Sequence, residues 1–438
     1  MKDNTMFLRI KEEGRAFCKA ASRANETAYL ILLSLYVTIY FLLKFGWAAG
    51  TEKADQFIRY SLLGIVMWGA AVYLLFVFAE WRSLWDRKIL LLAAAAVILS
   101  GTWFFSRHMS TNSYGVVMDI FFCLMACGKD YRKMLRCILT VGVIMLIIAG
   151  LGLPLGYTWD MVKPKNVSPG HSLGINYPNT WGYLAFLAMM TAWYLFLRFK
   201  PVPTFALFWA VTVFMYKYIS CRTISLLAAV FPVLACAVDL LERWADRKEK
   251  ASPGSSGKPS LPVTLMPFWM FAFMMIVSRQ YKWMHRHFYH GPLHNFAMRF
   301  VQAGLYFKSY GLPVVGNPYS SSRMTYVNVN GEFLEVGILD SSFASYIIMR
   351  GILWLFYTLA WLCLAIRKAL KNRDYAIPFL EFIILIFAMM ERPGLEMWYN
   401  FVMLYPLAKV SAKAVSQKEE APDTVPEAAE ENAGGAVE

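Results

Sequence analysis

The chain has few charged residues for its length. Only 16% of its 438 residues are Asp, Glu, Lys or Arg, whereas 58% are hydrophobic and 16% are aromatic. Together with a mean hydropathy of +0.44, this composition excludes an ordinary water-soluble protein. The strict alternation of polar and apolar residues that marks a membrane β-barrel is missing too, so α-helices are the remaining way to cross a bilayer.

Several signatures of known chemistry are also missing from the sequence. It has no phosphate-binding P-loop, no HExxH zinc motif and no GxSxG nucleophile motif, which argues against ATP hydrolysis by this chain. Seven scattered cysteines, of which only Cys221 is predicted near the outer surface, predict no disulfide framework. No soluble basic domain is visible, so we expect no nucleic-acid partner.

Twelve apolar runs predict membrane-spanning helices. A helix needs about 20 residues to cross roughly 30 Å of hydrocarbon, so the fourth and the last of these runs are short or tilted. The runs lie at residues 29–43, 62–79, 89–105, 114–127, 138–155, 181–197, 205–218, 224–241, 261–277, 342–366, 376–390 and 396–407. The predicted fold is an all-α polytopic membrane protein with about twelve transmembrane helices.

The basic residues set the predicted topology. Roughly 27 of the 43 Lys and Arg fall on segments that are cytoplasmic if the N-terminus is inside, as the positive-inside rule requires. We therefore expect a membrane protein with both termini in the cytoplasm. The predicted divisions are a cytoplasmic segment at 1–27, spans one to eight at 28–246, a linker rich in Pro, Gly and Ser at 247–260, span nine at 261–278, an outer loop at 279–340, spans ten to twelve at 341–408, and a disordered acidic tail at 409–438.

The outer loop at 279–340 carries an excess of cations. No Asp or Glu occurs between Val277 and Asn330, whereas the loop holds Arg279, Arg286 and Arg299. Guanidinium groups bind phosphate oxygens through two hydrogen bonds and keep their charge. These residues fit an anionic headgroup or a pyrophosphate, and they fit equally a solvated loop beside lipid headgroups.

Histidines are also concentrated in this loop. The run HRHFYHGPLH places His290 between two others at helical spacing. A zinc site usually has supporting carboxylates, and none is near in the sequence, so we predict no metal and favour contact with a membrane interface or a polyanion.

Charged residues within or beside spans are the strongest functional candidates, because an ionised group in hydrocarbon needs a partner or a wet cavity. They are Asp119, Arg222, Arg350, Glu391 and Arg392. Ion pairing between helices is the alternative explanation for Asp119, Arg222, Arg350 and Arg392.

Three stretches of the chain resemble the Wzy-type polysaccharide polymerases and related O-antigen ligases of bacterial membranes. The first is HSLGINYPNTWG at 171–182, and the second is SCRT at 220–223. The third runs through 311–351 and contains GLPVVGNP and LDSSFASYIIMRGI. With the number of spans and the late outer loop, the resemblance covers most of the chain.

The resemblance implies a glycosyltransferase of the GT-C-like helical class, without a metal or another cofactor. Such an enzyme joins oligosaccharide repeat units carried on undecaprenyl pyrophosphate at the outer face of the membrane. Its implied partners are the lipid-linked donor and acceptor, the bilayer, and other polysaccharide-assembly proteins such as a flippase and a chain-length regulator. Arginines would stabilise the negative charge that grows on the departing pyrophosphate.

Site residues follow from this resemblance together with the charge pattern. The catalytic candidates are Arg222, Arg279, Asp340 and Glu391, and the substrate-binding candidates are His171, Asn179, Arg286, His290, Arg299 and Arg392. Asp340 is our first choice as general base, with Glu391 and His171 as alternatives. An aspartate beside the start of a span also serves as a helix N-cap, so both roles stay open.

Two other functions remain open at this point. A ligase that transfers finished polymer to another acceptor needs the same donor site. A transporter or flippase for lipid-linked glycans would use buried charges as a substrate path, although the sequence has no visible repeat that divides it into two related halves.

Overall fold

A computed structural model describes residues 23–42, 44–45, 119, 122–160, 162, 170–251, 259–288, 294–316, 325–329, 332–336, 341–391, 394–397 and 399–410. Two predicted spans, at 62–79 and 89–105, lie outside these residues. So do the N-terminal segment before Arg23, half of the predicted span at 114–127, and the acidic tail after Val410.

Helices make up most of the described chain. They are α1 (Arg23–Leu42), α2 (Tyr131–Leu151), α3 (Pro178–Ala192), α4 (Pro201–Phe214), α5 (Arg222–Ala251), α6 (Leu261–Thr264), α7 (Met266–Arg279), α8 (Tyr281–Phe288), α9 (His294–Tyr310), α10 (Ser342–Arg350), α11 (Ile352–Lys371) and α12 (Ala376–Met390). A π-helical turn extends α3 through Trp193–Leu197, and another extends α4 through Met215–Ile219.

Six helices of the described residues are long and apolar enough to cross a membrane. They are α1, α2, α4, α5, α11 and α3 with its π-helical extension, and α7 and α12 are shorter apolar helices. This is consistent with a polytopic membrane protein.

A buried charge network joins three helices at one end of the bundle. The Arg198 guanidinium lies 3.3 Å from Asp239 and 3.7 Å from Asp374, and it also pairs with Glu242. The backbone N–H of Phe199 donates to Asp239 at 2.8 Å. Exposed cations surround this network: Lys200, Arg243, Arg367, Lys371 and Arg373. We call the end of the bundle that holds these residues the basic end, and the opposite end the far end.

Stacked aromatic rings fix the relative heights of the helices. The Phe231 ring of α5 lies 4.4 Å from Phe208 of α4 and 5.3 Å from Phe379 of α12, centre to centre. Because α5 and α12 both meet the basic end beyond these rings, they run antiparallel. At about 1.5 Å per residue, Arg222 and Met390 both lie roughly 15 Å from the rings toward the far end. The first residue of α5 and the last residue of α12 therefore lie at about the same height along the bundle axis.

The predicted span at 342–366 is two helices, so the prediction of one continuous helix was wrong, although α11 is long and apolar enough to cross a membrane. Gly351 separates α10 from α11 with φ at +95°, a conformation that favours glycine. A Cβ at this position would lie 2.2 Å from the Val314 carbonyl oxygen. The N–H of Ile352 donates to the Pro313 carbonyl at 2.9 Å. The segment before the hairpin thus fills the gap between the two helices.

The predicted helix at 396–407 was also wrong. Residues 394–397 and 399–410 form turns and a single 3₁₀ turn, Phe401–Leu404. The Asn400 side chain accepts from the N–H of Val402, and Pro406 has no N–H to donate within a helix. Both residues favour turns. The prediction failed because the apolar composition of 396–407 resembles that of a membrane span.

This final segment is buried among the helices. Lipid offers no hydrogen bonds, so irregular backbone at this depth is stable only inside protein with its polar groups paired. Side chains of the surrounding helices donate to its carbonyl oxygens: Tyr346 to Leu395 (2.6 Å), Tyr183 to Tyr399 (2.8 Å), Trp361 to Met403 (2.7 Å), and Lys368 to Tyr405 (3.2 Å), Pro406 (3.0 Å) and Ala408.

The stretch predicted as one long outer loop, 279–340, contains regular structure. It holds α8, α9 and an antiparallel hairpin of β1 (Thr325–Val329) and β2 (Glu332–Val336), paired from Thr325↔Val336 to Val329↔Glu332. Helix α9 packs tightly on the turn between α7 and α8, since a Cβ at Gly304 would lie 2.2 Å from the Ser278 carbonyl oxygen. In the predicted linker, α5 continues to Ala251, and 252–258 lie outside the described residues.

Candidate functional site at the far end

Two of the sequence stretches singled out above touch each other at the far end. The N–H of His171 donates to the Tyr218 carbonyl at 2.9 Å. The Cys221 thiol lies 3.2 Å from the Pro178 carbonyl oxygen. A Cβ at Gly182 would lie 2.7 Å from the Cys221 sulfur, so α3 and the start of α5 are in close contact.

The local sequence brings two helix N-termini together here. Pro178 occupies the first turn of α3, where its missing N–H and fixed φ are favourable. At the end of the π-helical turn after α4, Ser220 adopts a left-handed conformation with φ at +59°, and α5 begins two residues later. The N-cap residue Tyr177 makes no side-chain hydrogen bond to α3. Two positive helix ends, neighbours in space, therefore meet at this surface.

Three of the predicted site residues lie together at this surface. Arg222 is the first residue of α5 and is exposed. Asn179 lies in the first turn of α3 and is partly buried. His171 lies on the loop that leads into α3. We call this group, with the two helix ends, the Arg222 site.

Asp160 completes the Arg222 site, and sequence reasoning missed it. Its Oδ2 lies 2.5 Å from Nδ1 of His171. Its Oδ1 accepts from the N–H groups of Ser172 at 2.7 Å and Leu173 at 3.0 Å. Burial of Asp160 disfavours the charged form, but the hydrogen bonds from His171, Leu173 and Ser172 outweigh it and lower the pKa of this carboxyl. A lone aspartate in a loop carries no motif that could have revealed this contact.

Glu391 and Arg299 form an ion pair at the same end. The guanidinium of Arg299 lies 3.7 Å from the Glu391 carboxylate. The Glu391 carbonyl accepts from both the N–H (3.1 Å) and the hydroxyl (2.6 Å) of Ser342. This pair ties α9, α10 and α12 together, which gives both charges a structural role.

The remaining predicted residues are further from this surface or outside the described chain. Arg279 and Arg286 are exposed on α7 and α8. Helix α7 packs against α9, α11 and α12, whereas α5 packs against α3, α4 and α12, so α12 stands between Arg222 and Arg279. Asp340, His290 and Arg392 lie outside the described residues.

A second polar cluster lines a small, partly open cavity. The Arg350 guanidinium lies 3.5 Å from Glu396 and 4.1 Å from the centre of the Tyr346 ring. Arg350 is thus ion-paired, but with a residue of the irregular final segment and not with another helix. Asp119 is buried in the cavity wall. Along α11 the cavity is lined by three nearly parallel rings: Trp354 and Tyr357 (5.6 Å between centres), and Tyr357 and Trp361 (6.3 Å).

The cavity and the Arg222 site are linked through the end of α1. The Tyr40 hydroxyl hydrogen-bonds to the Tyr399 hydroxyl, and the N–H of Tyr399 donates to the Glu396 carbonyl at 2.9 Å. One helical turn later, the Lys44 carbonyl accepts from the N–H of Asn176 at 2.7 Å. Asn176 belongs to the loop that carries His171, so a few side chains separate the two groups.

No protein-family model matches the chain, and neither a curated protein nor a solved structure does so significantly. Within the described part of the chain, no group of three or more His, Cys, Asp or Glu side chains is arranged to hold a metal ion.

Proposed function

We propose that this protein is a membrane polysaccharide polymerase that joins lipid-linked oligosaccharide repeat units at the outer face of a bacterial plasma membrane. One observation carries the proposal: the stretches at 171–182 and 220–223, which are far apart in sequence, touch at the far end and bring two helix N-termini beside Arg222. The third stretch, through 351, supplies Tyr346 and Arg350 to the neighbouring cavity.

The Arg222 site has the chemistry to hold a lipid-linked pyrophosphate. Helix N-termini present unpaired N–H groups and a partial positive charge to anions. A guanidinium adds a full charge and two parallel donors. As the bond from the anomeric carbon to the pyrophosphate breaks, negative charge grows on the leaving group, and Arg222 stabilises that charge.

The neighbouring cavity suits a saccharide. Its row of Trp354, Tyr357 and Trp361 offers flat apolar faces for sugar rings. Arg350 donates hydrogen bonds, and the Asp119 carboxylate accepts them from sugar hydroxyls. Charged groups buried within a membrane bundle commonly mark a substrate path.

The charge distribution supports an orientation with the basic end in the cytoplasm. Exposed Lys and Arg cluster at that end, as the positive-inside rule favours for a cytoplasmic surface. The Arg222 site then faces the outer leaflet, where lipid-linked repeat units are displayed for polymerisation.

A flippase for lipid-linked glycans is the second candidate, and the buried final segment favours it. Interrupted helices and irregular backbone in the centre of a bundle are typical of substrate sites in transporters. An O-antigen-ligase-like transferase is closer in chemistry to the polymerase and would use the same Arg222 site.

The test compares surface and lipid-linked glycans in a strain that lacks the protein and is complemented with variants. Loss of the polymer ladder, with single repeat units accumulating on the outer leaflet, supports the polymerase. Long polymer that remains on lipid indicates a ligase, and repeat units held on the inner leaflet indicate a flippase. An unchanged glycan profile refutes all three.

Variants of α5 sharpen this test. Arg222→Ala should slow chain extension by about 10² to 10³, the usual effect of removing one donor to a developing charge. Arg222→Lys should recover only part of the rate, because lysine lacks the paired donors. The matched control is Arg247→Ala, an exposed arginine on the same helix at the basic end, which should leave the ladder intact.

A further inference from the structure

The His171 side chain is held by an unusually well-anchored carboxylate. Both oxygens of Asp160 are engaged: Oδ1 with two backbone N–H groups and Oδ2 with Nδ1 of the imidazole. The 2.5 Å contact fixes the imidazole relative to the loop. The backbone of His171 is itself pinned to the Tyr218 carbonyl at 2.9 Å. Ring and main chain are thus both held in place.

This contact determines which ring nitrogen is available for chemistry. An ionised carboxylate can only accept, so Nδ1 carries the hydrogen, and in the neutral imidazole Nε2 then has the free lone pair. The His171 side chain is 35% exposed and Asp160 is 26% exposed, so the imidazole reaches the surface while its partner is more covered. A neutral imidazole oriented in this way accepts a proton at Nε2.

The pair also belongs to the Arg222 site, where an acceptor hydroxyl would react in the proposed function. His171 lies on the loop between α2 and α3 and bonds to Tyr218, four residues before Arg222. The two helix ends and Arg222 hold the departing pyrophosphate in the proposed function. Glu391, the alternative acid in the described far end, is occupied by Arg299.

We propose that His171 is the general base of this reaction and that Asp160 is its positioning residue; this rests on the proposed function. The acceptor oxygen forms a bond to the anomeric carbon while its hydroxyl proton passes to Nε2 of His171. The electron pair of the breaking carbon–oxygen bond leaves with the lipid pyrophosphate. The imidazolium, stabilised by Asp160, then returns its proton to water or to the released pyrophosphate.

The test uses the purified full chain in lipid vesicles with lipid-linked repeat units extracted from the strain that lacks it. His171→Ala should lower kcat by about 10² to 10⁴, as expected for loss of a general base. Added imidazole should restore part of that rate, because it replaces the missing base. A purely structural histidine would show no such rescue.

Asp160→Asn separates positioning from folding. The asparagine oxygen can still accept from Ser172 and Leu173, but its amide faces Nδ1 with a donor and forces the hydrogen to Nε2, where it blocks proton uptake. We expect kcat to fall by at least about 10² with little change in KM, and Asp160→Glu to recover part of the rate. The control is Asp130→Asn. Asp130 is the N-cap of α2 at the basic end, and its side chain accepts from the backbone N–H groups of Arg132 and Lys133.

The outcomes distinguish the two proposals. If wild type does not extend the repeat units, the proposed function fails and the role of His171 falls with it. If wild type is active and His171→Ala keeps the wild-type kcat, only the general-base assignment is refuted. Equal kcat for Asp160→Asn and Asp130→Asn would refute the positioning role of Asp160, and thermal unfolding of each variant verifies folding.

Discussion

Replacing Arg198 with methionine should destabilise the protein more than any exposed charge change. Its guanidinium is only 14% exposed and faces three carboxylates that are 7% to 12% exposed. Methionine fills a similar volume without the charge. Asp374 keeps hydrogen bonds from Tyr194 at 2.6 Å and Tyr405 at 3.2 Å, but the three carboxylates would lose the guanidinium that they share.

The size of the effect follows from the alternatives left to the carboxylates. Removing one partner of a buried ion pair costs about 3 to 5 kcal/mol, because the other charge stays buried. Protonating one aspartate instead, from an ordinary pKa near 3.9 at pH 7, costs about 4 kcal/mol. Both routes give the same scale, so we expect a loss of about 4 kcal/mol in Arg198→Met.

The dependence on pH gives a second check. Burial raises the pKa of Asp374, whereas Arg198 lowers it, so removing Arg198 raises that pKa further. A carboxyl with a raised folded-state pKa favours the folded state at low pH and loses that contribution as pH rises. The stability deficit of Arg198→Met should therefore be smaller at pH 5 than at pH 8.

The assay is thermal unfolding in detergent, followed by tryptophan fluorescence at the two pH values. The control is Lys133→Met, which removes a surface pair with Glu26 in which the lysine is 53% exposed and which should cost less than about 1 kcal/mol. An equal decrease in Tm for both variants, or a deficit that grows toward low pH, would show that the network contributes nothing through charge.

Two further substitutions test the irregular parts of the fold. Gly351→Ala should cost at least about 2 kcal/mol of stability, because the position combines a positive φ with a backbone clash. The control is Gly150→Ala, where an added Cβ meets nothing within 4 Å, and it should be neutral or stabilising. Equal Tm values for the two variants would contradict this. Lys368→Met removes the donor to three carbonyls of the irregular segment and should cost about 3 kcal/mol. The exposed Arg367→Met should leave Tm unchanged. A tolerated Lys368→Met would mean that these bonds add no stability.

Hydropathy was sufficient to predict the straight helices. The run at 376–390 coincides with α12, and the runs at 181–197 and 205–218 are matched within a few residues by α3 and α4 with their extensions. These segments are helical through their whole length because no interior residue demands another conformation. Where Gly351 and Pro406 interrupt apolar runs, average composition hides a break that depends on what packs against it.

The candidate site was predictable only where motifs carried it. His171, Asn179 and Arg222 came from two short motifs, and their contact is long-range in sequence. Asp160 and Glu396 were missed, because their importance arises from one partner each in space. Which distant residues pair depends on how the helices and loops are positioned relative to each other. The spacing of residues along one sequence does not provide that information.

The irregular segment at 394–410 has a consequence for biogenesis. It is synthesised after every helix that surrounds it, and its many turns make it a poor substrate for insertion as a helix. The earlier helices therefore enter the bilayer before this segment fills the space between them. Until then, the side-chain donors of Tyr183, Trp361 and Lys368 lack the carbonyl oxygens that they later bind. The order of translation thus makes this stretch the closing step of assembly, and an intermediate stalled before it would expose polar side chains to lipid and to membrane proteases.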